Sequence, residues 1–172
     1  MTSYLYQAPS GVPGDVTRVD ESNVEPSMLV TPFPSNYGVA VKYAAGANGS
    51  GVTPFAAADT AAVVAGLLVR AAPGISQSSV NEQVNVFQPN QAEPQGVMVR
   101  GYANVIVNAG TPVRGQPVYI VQTASAGHPA GAFETTANGG NNVPLSSTIG
   151  GNWTWASDGM DSTGIAEIRI AQ

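Results

Sequence analysis

The chain carries a single histidine, His128, in the stretch Ala126-Gly127-His128-Pro129-Ala130, whose composition is that of a loop. An imidazole acting as a general base needs an orienting carboxylate and a nucleophile within reach, and no G-x-S-x-G elbow accompanies it. His128 is therefore read as a loop residue without a catalytic role. Asp158 and Asp161 bracket Gly159 and Met160 and could present two hard oxygens to a calcium ion. Such a site takes about six to eight oxygens, however, and the D-x-D-x-D-G loop is missing. A turn whose Asp side chains accept from local amides fits the spacing better. Without cysteine, thiolate metal sites, disulfides and a thiol nucleophile are excluded. None of the 20 glycines falls in G-x-x-x-x-G-K-S/T or G-x-G-x-x-G, so no phosphate cradle is encoded. No catalytic residue, cofactor or metal is expected. Trp153 and Trp155 are one residue apart, so a strand places both indoles on one face. Exposed, they would form a stacking platform for a sugar, as in a carbohydrate-binding adhesin; buried, they would fill a core or an interface, the commoner role of such rings.

Composition bounds what can position these residues. A chain of 172 residues is one domain of ordinary size, able to bury about 68–70% of its unfolded surface. Charged residues make up 10% of it, against a typical quarter, with a net charge of -5. Six basic residues cannot form a stripe that tracks phosphates, so nucleic acid is not an expected partner. With 43% apolar residues the chain has the material for a core. The first ten residues lack a basic-then-apolar leader, and the longest apolar run, Ala61 to Val69, is far short of a membrane span. No membrane association is expected. So weakly charged a surface suits polar and apolar contacts with other subunits rather than salt-sensitive ones.

Residues 1–36 read as an extended N-terminal arm. Pro9, Pro13, Pro26, Pro32 and Pro34 are too close together for a helix, and no period of two is sustained. The arm nevertheless carries Tyr4, Leu5, Tyr6, Val12, Val16, Val19, Met28 and Leu29, more apolar content than a solvated tail tolerates. These eight are the candidate contacts with another subunit. Residues 37–172 read as a β domain. Tyr37, Val39, Val41 and Tyr43 alternate with Gly38, Ala40 and Lys42. Between a strand and a helix for the alanine-rich stretch after Pro54, Gly66 and the β-branched Val63, Val64 and Val69 favour a strand over 63–70. A long polar loop follows at about 76–95, with a small edge strand at 84–87. Val97 to Val107 keeps a period of two, with Gly101 as a candidate bulge. Gly110, Gly115 and Pro117 mark turns, and strands are predicted at 118–122, 133–136, 153–156 and 165–170. The fold class is thus all-β: a single β-barrel or β-sandwich, jelly-roll-like domain behind an arm.

Across this frame runs an ordered set of short motifs: Gly11-Val12-Pro13-Gly14-Asp15 with Arg18, Tyr37-Gly38-Val39-Ala40-Val41, and Val64-Ala65-Gly66-Leu67-Leu68-Val69. Gly115-Gln116-Pro117-Val118-Tyr119-Ile120, Gly131-Ala132-Phe133, Asn138-Gly139-Gly140-Asn141 and Gly164-Ile165-Ala166-Glu167-Ile168 continue it. In this order the chain resembles the structural cement proteins that decorate tailed-bacteriophage capsids; it has Gln116 where that family commonly has Asp. The resemblance implies a barrel or sandwich-like fold, no catalysis, and homo-oligomers, trimers favoured over dimers, seated where capsomers meet. It implies the major capsid protein as partner, which makes the eight arm residues candidate subunit or capsid contacts. The expected location is the outer capsid surface of the virion, after synthesis in the bacterial host cytoplasm.

Overall fold

A computed structural model describes residues 11–45, 51–70, 89, 91–146 and 151–171 of the chain. The alternation predicted from Val97 onward becomes one strand of 15 residues, from which the other strands take their places. In chain order the strands are β1 (Asn23–Leu29), β2 (Ala40–Tyr43), β3 (Gly51–Pro54), β4 (Val64–Val69) and β5 (Gln95–Ala109). They continue with β6 (Tyr119–Val121), β7 (Phe133–Glu134), β8 (Asn142–Pro144), β9 (Asn152–Trp155) and β10 (Ile165–Ala171). The chain is all-β, as its turn-punctuated alternation predicts. The only helical pieces among the described residues are 3-10 turns at Val19–Glu21 and Ala61–Val63.

Five of these strands close a ring. β1 pairs in parallel with β3; β3 pairs with β2, β2 with β4, β4 with β5, and β5 returns to β1, all antiparallel. Each strand sends one side chain into a common cluster: Leu29, Val41, Val52, Leu68 and Val97, with Tyr37 and Val39 against it. Their neighbours in the alternation, Ala40, Leu67, Val69 and Met98, point to the opposite face and join the main core. A strand with both faces covered needs apolar residues throughout, which is why β4 reads as an unbroken apolar run.

At Gly101 the long strand changes partners. The register against β1 slips between Asn23 and Val24, opposite Arg100 and Met98. A one-residue slip moves every following side chain to the other face. Met98 and Ala103, an odd number of residues apart, therefore lie in the same core, whereas unbroken alternation would have grouped Val97 with Ala103. Gly101 has φ +134°, and a Cβ there would stand 2.7 Å from Ser22 Cβ and 2.8 Å from Ser22 Cα, so only glycine fits. Beyond it β5 pairs with β10 and, in parallel, with β7; β9 pairs with β10, and β6 with β7 and β8. The lead-in to β6 closes this second ring. Gly115 N–H donates to the Trp155 carbonyl (2.8 Å), Trp155 N–H to Gln116 (2.9 Å) and Val118 N–H to Trp153 (3.0 Å). Val105, Ile120, Phe133, Trp153, Trp155 and Ile168 fill it, in one core with the outer face of the first ring.

The reading of residues 1–36 as irregular needs correction. From Gly11 the segment is bonded to its own domain, and residues 23–29 form β1 in spite of Pro26. Proline is tolerated there because β3 joins β1 only from Met28 onward, so one side of Pro26 carries no ladder that a missing N–H would break. Tyr4, Leu5, Tyr6 and the expected edge strand at 84–87 lie outside the described residues. Within the stretch after Pro54 the strand prevails, and the 3-10 turn takes its first residues.

Candidate contact surface

The residues with chemical potential are absorbed by structure. His128 does have a carboxylate beside it: Nδ1–H donates to Glu134 Oε1. Glu134 is 2% exposed, and its other oxygen accepts from Asn142 Nδ2. Asn108 Nδ2 donates to Glu134 Oε1 (3.4 Å) and to the Gly127 carbonyl (3.1 Å), while Asn142 Oδ1 accepts from Asn138 N–H (2.7 Å). A buried carboxylate needs such donors, and these three fasten the 125–128 turn and the 138–142 turn onto β7. Sequence reading missed Glu134, because nothing in a β-strand pattern marks which polar residue turns inward. Among the described residues no hydroxyl is bonded to the imidazole. Asp161 Oδ1 accepts from Thr163 N–H (2.8 Å), the Thr163 hydroxyl (2.6 Å) and Ile165 N–H (2.9 Å), the local turn its spacing suggests. Asp158 accepts from Arg114 N–H (2.9 Å), which ties the two loops together.

Trp153 and Trp155 are each 1% exposed, with the Trp153 ring 5.8 Å from that of Phe133. The sugar-stacking alternative is thereby overturned: both indoles face the second ring's interior, in one apolar cluster with Ile120, Phe133 and Ile168. Gly110 and Gly115 hold the left-handed conformations of turn residues (φ +85° and +81°). Pro117 instead bridges to Thr154 at the start of the β6 strand.

The arm motif is a junction. Gly14 N–H donates to Asn104 (2.8 Å), Asn104 N–H to Asp15 (3.0 Å), Thr17 N–H to Tyr102 (3.0 Å) and Arg70 N–H to Gly14 (2.9 Å). The Asp15 carboxylate accepts from Val12 N–H (3.1 Å) and pairs with Arg70 (3.3 Å). Gly14 needs its left-handed φ of +85°, with Tyr37 and Gly38 pressed against it. Thr17 and Arg18 both bond Glu167, and Arg18 lies 3.9 Å over the Tyr102 ring. The hydrogen bond to Glu167 raises the Arg18 pKa above its ordinary value. Motifs far apart in sequence, at 11–18, 37–38 and 167, thus meet at one place.

The predicted contact residues separate accordingly. Leu29 is 6% exposed inside the first ring, and Val16 packs on the main core, so both serve their own fold. Val12 is half-buried. Val19 is 73% exposed and Met28 40%, joined by Val24 at 40%, which the sequence reading did not single out as a contact. Elsewhere Ile106, Val113 and Met160 are also open to solvent. Because the strands of both rings have neighbours on both sides over much of their length, little free edge remains for strand addition. Contact with a partner falls to faces and loops.

Such an architecture is that of a β protein that meets its surroundings through surface. A model of the XM1 gp53 minor capsid protein family matches residues 1–170, and the chain belongs to that family. Its fold is similar to that of a chain in the solved capsid of Myoviridae phage XM1. The two are 18% identical with a TM-score of 0.64, over 100% of this chain and 98% of that one. No curated protein matches it. The protein is therefore a structural, capsid-associated phage protein.

Proposed function

We propose that the protein is a cement, or decoration, subunit that binds the outer surface of an assembled capsid and stabilises contacts between capsomers, with no catalysis. The observation that carries this is the exposure of Val19, Val24 and Met28 on one segment, while Val16 and Leu29 of the same arm pack into their own domain. Burying such side chains against a partner contributes about 1.5–3 kcal/mol each when complete. A ligand that binds only the assembled shell shifts assembly by mass action, by about 2.7 kcal/mol per site at a free concentration 100 times Kd. Many weak copies suffice. The major capsid protein is the partner, and copies associate with one another. A trimer is favoured over a dimer, since a junction of three capsomers offers a threefold arrangement.

The test is co-sedimentation with mature capsids and, separately, with dissociated capsomers from the same source, alongside the protein's mass by light scattering. Binding to capsids and weaker binding to capsomers is expected. Equal binding to both would overturn the cement reading, and a monomer in solution and on the shell would overturn the oligomer.

A further inference from the structure

The Asn138-Gly139-Gly140-Asn141 motif forms a turn in which two groups that can react with each other are left unguarded. Gly139 and Gly140 hold left-handed φ values of +54° and +90°, and Asn141 N–H closes the turn by donating to the Asn138 carbonyl (2.8 Å). Both glycines are exposed, and a Cβ at Gly139 would meet nothing within 4 Å. Among the described residues the Gly139 N–H donates to no acceptor, and the Asn138 side-chain amide has no hydrogen-bond partner. The neighbouring asparagines are held. Asn142 Nδ2 donates to Glu134 and to the Thr136 carbonyl (2.8 Å), its Oδ1 accepts from Asn138 N–H (2.7 Å), and the β-branched Val143 follows it. Asn108, in β5, donates through Nδ2 to Glu134 and the Gly127 carbonyl, and Asn104 is 2% exposed.

An asparagine amide carbon and the next backbone nitrogen are one bond away from closing a five-membered ring, and a following glycine raises no side chain against that closure. We infer that Asn138 is a site of spontaneous covalent modification, in which water replaces its side-chain nitrogen by way of a succinimide. The Gly139 nitrogen bonds to Asn138 Cγ, the Cγ–Nδ2 bond breaks, and ammonia leaves with the proton of the Gly139 N–H. Water then adds to one of the two ring carbonyls. Opening at Cγ gives aspartate at 138, whereas opening at the main-chain carbonyl gives isoaspartate, in which the backbone runs through Cβ and Cγ. Nothing is oxidised or reduced, and either product adds one negative charge to the chain's -5. Isoaspartate also lengthens the main chain by one carbon inside the turn. Asn138 N–H orients the Asn142 amide that donates to buried Glu134, so a change in an exposed turn reaches the network on β7.

The experiment incubates the full-length protein at neutral pH in heavy-oxygen water, native and, in parallel, unfolded in guanidinium chloride, and maps products by peptide mass spectrometry. Cleavage after Lys42, Arg70, Arg114 and Arg169 puts Asn138 on a different peptide from the chain's other Asn-Gly pair, Asn48-Gly49, which lies outside the described residues. An exposed turn opens at almost no free-energy cost, so the native rate at Asn138 is expected within about tenfold of the unfolded rate. The product should carry the label of the water, and Asn104, Asn108 and Asn142 should stay intact in the native protein over the same period. Conversion at Asn138 only in denaturant, an unlabelled product, or native conversion at Asn142 as fast as at Asn138 would each overturn the inference. Urea unfolding then compares the aged form, separated by anion exchange, with Asn138→Asp, which adds the charge without lengthening the chain. A lower midpoint is expected for the isoaspartate-containing form, and equal midpoints would overturn the link from the turn to Glu134.

Discussion

Glu134 shows how a polar residue earns a place in the interior. Its carboxylate is covered, and the amides of Asn142 and Asn108 and the His128 ring are arranged around it. Removing one member of a buried network costs most when it strands the others. Glu134→Ala leaves one Asn142 Nδ2 hydrogen without its acceptor, the other staying on the Thr136 carbonyl (2.8 Å), and empties a buried site, so a loss of about 2–4 kcal/mol is expected. His128→Ala leaves Glu134 its two amide donors and removes a ring that is partly in water, so about 1 kcal/mol is expected. Urea unfolding of the two variants checks the order. Equal losses would show that the imidazole, and not the amides, holds the carboxylate.

At the scale of elements, β1 is the piece whose role changes most on folding. It joins β3 to β5 and so closes the first ring, and its Leu29 is one of the five side chains that fill that ring. Deleting residues 1–35 removes the strand, bares the edges of β3 and β5 and opens the interior to water. Loss of the cooperative urea transition, with far-UV circular dichroism as the probe, is the expected outcome. A product that still unfolds cooperatively would show that β2 to β5 close without β1.

At the scale of the whole molecule, the slip at Gly101 makes the outer face of the first ring and the inside of the second a single core. Both tryptophans lie in the second ring, whereas Leu68 lies inside the first. Coupled through that core, the rings should unfold together. Leu68→Ala is expected to cost about 2–5 kcal/mol and to move the tryptophan-fluorescence midpoint as far as the circular-dichroism midpoint. A fluorescence transition left in place would mean that the rings unfold independently.

The amino-acid sequence by itself determined the class of the fold, the absence of cysteine chemistry and phosphate loops, most strand positions and the family resemblance. These follow from local rules: alternation, proline and glycine placement, and residue types that a given chemistry requires. Asp161 shows how far such rules reach, since its turn is closed by residues two and four positions away. Tertiary structure alone decided that Pro26 sits in a strand, that Glu134 gathers His128 and Asn142, and that both tryptophans face inward. It alone separated Leu29, sealed in a ring, from Met28, left in water. The physical reason is that each outcome depends on which strand lies alongside, and ladder partners such as β1 and β5 are about 70 residues apart. Alternation says that neighbouring side chains face opposite ways; only the closing of the rings says which way is in.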